Sequence, residues 1–189
     1  MSNLNSPTGF KPIRHLNGSP YNGQTGKYAF ASGDSVACFP GDMVKLTGTA
    51  DANGIPVIAK AAAGDALLGS LEHVEPNPDD VTKVHRIASR VCFGYVADSP
   101  DIIFEAQEDS VGGAIAVASV GLATDIVAGS GSSVTGVSNS EIDSSDVATD
   151  TGGQVRILRI VERPGNAVGV NAKWEVMINE HQYRSVLDI

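Results

Sequence analysis

Between Asn171 and Asn179 the side chains alternate: Trp174, Val176 and Ile178 fall on one side, Lys173, Glu175, Met177 and Asn179 on the other. A period of two is the signature of a strand with one face on a core. No long segment of the 189-residue chain carries apolar residues at the 3.6-residue spacing of an amphipathic helix. What recurs instead is short β-branched and aromatic runs separated by turn residues. The pattern predicts an all-β, antiparallel fold, sandwich or barrel-like, with at most one or two short helices.

Gln154–Arg163 (QVRILRIVER), Arg90–Ala97 and Ile102–Gln107 are the other strong strand runs. Asn53-Gly54 lies between Asp42–Thr47 and Ile55–Lys60 and signals a hairpin. Ala66–Glu75 reads as a strand with a glycine bulge at Gly69, closed by Pro76 and Pro78. Gly112–Val120 is small and apolar, and its periodicity allows a buried strand or a short helix. Gly129–Gly136 and the acidic Ser138–Asp150 read together as an exposed excursion. The chain divides into an extended N-terminal arm (1–33), a small β sub-domain (34–75), a proline-containing linker or loop (76–83) and a main β domain (84–189).

The arm is predicted from composition. Residues 1–33 are rich in Asn, Gly, Ser and Pro, and their apolar residues follow no period. Such a segment buries too little apolar surface to offset its ordering entropy. Phe10, Ile13, Leu16, Tyr21, Tyr28 and Phe30 are spaced along it like anchors that order on a partner. A floppy terminus, or an arm folded back on its own domain, fits the same residues.

The formal net charge is −9. With no basic run, phosphate binding and hence a nucleic-acid partner are not expected. No stretch approaches the ~20 apolar residues that span a membrane, and the first residues lack the apolar centre of a signal peptide. These features predict a product made in a cytoplasm. Cys38 and Cys92 read as two buried thiols, with a disulfide as the alternative.

Catalytic chemistry finds little support. His15, His73, His85 and His181 do not pair at metal-ligand spacing, and no C-x-x-C pair exists. His73 and His85 flank the proline loop and are expected to be exposed. The acidic groups Glu105, Glu108, Asp109 and Glu141, Asp143, Asp146 lack the calcium-loop pattern and read as solvated faces. Gly129–Ser133 lacks the lysine of a phosphate-binding loop, and no G-x-S-x-G elbow marks a serine nucleophile. No catalytic, cofactor or metal residues are predicted.

Several segments together resemble a family of tailed-bacteriophage head proteins, the capsid decoration or cement proteins. They are Phe93–Ala97 with Ser99–Asp109, Ser119–Asp143, and Gln154–Arg184, where an R-P-G-N turn precedes N-A-K-W; the opening NGSPYNGQTGKYAFASGDSVACFPGDMVKL is similar as well. The resemblance implies a non-enzymatic virion protein that binds the outer capsid surface, commonly as a trimer at local threefold positions. Its partners would be the major capsid protein and further copies of itself, and the anchors of the arm would be its capsid-binding residues. Three alternatives stand beside this: a head-fibre protein binding a host surface or glycan, a small hydrolase, and an internal scaffold or tail component.

Overall fold

The computed structural model describes residues 3–148 and 152–184. The fold is all-β, and its only helical turn among the described residues is the 3-10 turn Val117–Ser119. The first strand, β1 (Lys11–His15), joins an open sheet discussed below. β2 (Gly26–Phe30), β3 (Met43–Ala50), β4 (Pro56–Lys60), β5 (Gly69–Val74) and β6 (Cys92–Ala97) close into a barrel in the order β2-β4-β3-β5-β6, with β6 returning to β2. All its pairings are antiparallel except β2 with β4. The barrel thus draws strands from before, within and after 34–75.

Local chemistry explains these elements. At the β3–β4 hairpin the Asp51 carboxylate accepts the backbone N–H of Asn53 at 2.9 Å and of Ile55 at 2.8 Å, while Gly54 takes φ +79°. Both features fix the reversal. In the run VCFGYV the glycine faces inward. A Cβ on Gly94 would lie 2.7 Å from the Phe30 ring and 3.0 Å from Leu71, so only a bare backbone leaves room for the barrel core. That core holds Tyr28, Phe30, Val44, Ile58, Leu71 and Val96, with both cysteines as free, buried thiols. The irregularity expected at Gly69 lies further along β5, between Leu71 and His73.

β7 (Ile102–Gln107), β8 (Ala123–Thr124), β9 (Ile126–Val127), β10 (Glu141–Ile142), β11 (Val155–Ile160) and β12 (Lys173–Ile178) build the rest. The open sheet runs β1-β7-β12-β11-β8, and β9 pairs with β10 as a separate ribbon. Trp174, Val176 and Ile178 are buried, as their alternation requires. They share one core with Phe104, Ile126, Ile157 and, from the barrel side, Met43, Leu67 and Ala97. Barrel and sheet are therefore joined by a common apolar interior.

Three expectations are corrected. The described part of 1–33 is not an extended arm: β1 pairs with β7, β2 closes the barrel, and Phe10, Tyr28 and Phe30 are buried. Burying each such side chain contributes about 1.5–3 kcal/mol, and the partners come from far along the chain, where local composition does not reveal them. Gly112–Val120 forms neither a buried strand nor a regular helix; only Ile115 is buried, and Gly112 and Gly113 take positive φ. Finally, the stretch Ser138–Ala148 is not simply exposed, because Ser138, Ser140 and Ile142 are buried and β10 pairs with β9.

Candidate functional site

The six anchor residues do not form one surface. Phe10 sits in the shared core, and Tyr28 and Phe30 sit in the barrel core. Ile13 and Tyr21 are half-buried, whereas Leu16 is exposed. The Tyr28 hydroxyl donates to Asp98 at 2.6 Å; burial first, and that bond second, push the phenol far above its ordinary range. Tyr21 is pushed up to about 12, by burial and then by the negative charges of Glu72 and Asp98.

Most buried charge is spent inside the molecule. Asp42, fully buried, accepts from the Phe39 N–H at 2.8 Å and from the hydroxyls of Ser138 at 2.6 Å and Ser140 at 2.8 Å. The Lys60 ammonium sits 3.0 Å from its other side and also donates to the Gly129 carbonyl. This cluster pins the 129–140 segment to β3 and β4. Arg86, buried over the Phe30 ring, donates to Asp34 and to the carbonyls of Ala31, Asp34 and Val36. Glu175 lies between Arg14 at 2.6 Å and Arg159 at 2.9 Å. Buried Glu108 accepts from the Trp174 indole and the Ile115 N–H; burial raises its carboxyl and those bonds oppose the rise.

The histidines are dispersed. His73 is exposed and stacks on Tyr95 at 4.4 Å, but His85 is buried rather than exposed, stacked on Phe39 at 4.3 Å. Burial lowers the pKa of His85 and of His181. Among the described residues no three His, Cys, Asp or Glu side chains converge on a common point. The two acidic segments are brought together rather than left as solvated faces: Glu108 is buried and bridges to Ile142, Asp109 accepts from the backbone and hydroxyl of Ser144, and Glu141 accepts from Gln107.

Two concave regions stand out among the described residues. A cleft of about 530 Å³ lies between Pro76, Pro78, Ile87 and Val91, but the Arg90 guanidinium beside it already donates to the Glu75 and Pro76 carbonyls. A second, of about 340 Å³, lies between residues 8–12, Pro40 and β5, and is lined by Glu72. Glu72 was not singled out in the sequence, although a carboxylate inside the strand run ALLGSLEHVE, among residues mostly buried, is the signal that marks it. The loops also present apolar side chains: Val134 is 93% exposed, Leu4 78% and Val81 76%, with Val111, Val117 and Val170 also exposed. Leu4 and Val170 are held on tied loops, because Asn3 bridges the Ala167 and Val170 carbonyls at 2.8 and 3.0 Å.

No known family model, curated protein or solved structure matches this chain.

Proposed function

We propose that this protein is a structural component of a phage virion, made in the host cytoplasm, that binds the outer capsid surface and braces neighbouring major capsid protein subunits. The observation that carries the packing role is the set of exposed apolar loop residues, Val134, Leu4 and Val81 foremost, set on a body with a shared apolar core. Isolated exposed valines are ordinary; Leu4 and Val170, on loops that Asn3 ties together, offer contact points held in fixed positions. Buried ion pairs stiffen the frame behind them. The capsid as partner is supported by the sequence resemblance of the Ser99–Asp109, Ser119–Asp143 and Gln154–Arg184 segments.

Attachment at several points makes modest contacts add up, since each later contact is effectively intramolecular. A homotrimer at a local threefold position supplies that multivalency. Binding to the assembled shell in preference to free subunits stabilises the shell by mass action. The test is co-sedimentation with shells assembled from the major capsid protein of the same genome. Saturable binding at a fixed ratio to capsid subunits is expected; protein that stays in the supernatant at all concentrations refutes the proposal.

A further inference from the structure

Glu72 is half-buried on β5, on the side covered by residues 8–12, and it lines the 340 Å³ cleft. Around it stand Phe10, Pro12, Pro40, Leu71 and Val137, with exposed Lys11 at the rim. Asp42 has Lys60, Glu175 has two arginines, and Glu108 has an indole and a backbone N–H. Glu72 differs. Among the described residues it has no ion pair within 4.0 Å, and Ser70 is the only polar side chain close enough to favour its charged form by hydrogen bonding. The single Ser70 hydroxyl proton is directed at the Phe10 carbonyl, 2.7 Å away.

A carboxylate drawn out of water without a counter-ion is costly, and buried charges are ordinarily paired. The Glu72 carboxyl is held up to about 7 by burial, against the weaker lowering effects of Ser70 and Lys11. From the covering elements, Lys11 on β1 and the Tyr21 phenol are the titratable groups that sense it. Among the described residues, Lys11 at the rim is the one positive charge of the chain that acts on Glu72, and it lies beyond ion-pair distance, so the position beside the carboxylate and the apolar walls is open to a further cation. That combination suits a cationic head on an aliphatic stem, the form of a lysine or arginine side chain. The chain's net charge of −9 favours a basic partner surface.

We propose that this cleft receives one basic side chain of a partner protein, its stem along Pro12, Pro40 and Val137 and its cationic head paired with Glu72. The inference deepens the reading of the protein as one that packs against other chains, and rests on it for the source of the side chain. Proton and cation compete for the carboxylate, so occupancy rises with pH.

The test is amide NMR of the full chain with n-butylammonium, with n-butanol as the uncharged control. Butylammonium should give saturable shifts at Thr8, Leu71 and Val137, tightening about tenfold from pH 6 to pH 8 as Glu72 ionises. Glu72→Gln should lose these shifts while keeping its fold, and Glu75→Gln should keep them. Absence of saturable shifts in the wild type at pH 8, or identical shifts in Glu72→Gln, overturns the pocket. N-acetyl-lysine methylamide, which carries the same head on a peptide, should bind at least as tightly; if it fails where butylammonium succeeds, the pocket takes free amines and the partner assignment is overturned. No shell enters this assay, so it can fail while capsid binding succeeds, and the reverse.

Discussion

Replacing Asp42 by alanine should be among the most damaging single changes in this protein. The carboxylate is fully buried and serves four donors: the Phe39 N–H, the Ser138 and Ser140 hydroxyls, and the Lys60 ammonium at 3.0 Å. Its loss leaves Lys60, whose side chain is 9% exposed, with only the Gly129 carbonyl as a named acceptor. An uncompensated buried charge costs about 3–5 kcal/mol, against a total stability of about 5–15 kcal/mol for a domain. At about 2–4 °C per kcal/mol for a chain of this length, the midpoint should fall by roughly 6–20 °C in scanning calorimetry. Asp42→Leu combined with Lys60→Met removes the unpaired charge and should recover part of the loss, the remainder being the Phe39, Ser138 and Ser140 donors left without their acceptor. A fall of less than about 2 °C for Asp42→Ala, or a double variant as unstable as the single, would refute the reasoning.

Gly9→Ala should destabilise more than Gly18→Ala: both residues have positive φ, but a Cβ at Gly9 would lie 2.3 Å from the Gly41 carbonyl oxygen, whereas one at Gly18 meets nothing within 4 Å. Unfolding free energies from urea titration should differ by about 1–3 kcal/mol, and equal values would contradict the packing of residues 8–10 against Gly41. The lowered His85 pKa means that below about 6.5 the unfolded chain binds a proton that the folded chain resists, so stability falls as pH drops, by at most about 1.4 kcal/mol per pH unit. Glu72 pulls oppositely between 4.5 and about 7, so the comparison belongs in a Glu72→Gln background, where His85→Phe should reduce the slope while His181, lowered likewise, keeps its share; an unchanged slope would be evidence against it. Cys38 and Cys92 are buried, and burial raises both thiols, Cys38 far above its ordinary value. Both should resist an aromatic disulfide reagent until the protein is unfolded, and rapid labelling of the native protein would contradict their placement.

The strands most legible in the sequence are those whose alternation or β-branching is local. β6, β7, β11 and β12 follow directly from their runs, and Asn53-Gly54 marks the β3–β4 hairpin. What stayed hidden depends on distant partners. Phe10 is isolated among polar neighbours, yet its N–H donates to Gly41 and its carbonyl accepts from Ser70. Tyr28 closes a barrel whose β6 lies more than sixty residues away. Ser138 and Ser140 look like solvated loop residues, but both are buried because they are donors for Asp42. Strands of two residues, β8, β9 and β10, are too short to carry any period. The position of Glu72 needed both the β5 irregularity and the covering segment, neither of which composition encodes.

Capsid attachment is tested most directly by electron cryo-microscopy of shells reconstituted with and without the protein. Added density is expected on the outer surface, at local threefold positions, into which the barrel and open sheet fit as one body. Identical exteriors with saturating protein present, or density confined to the shell interior or the tail, would contradict it.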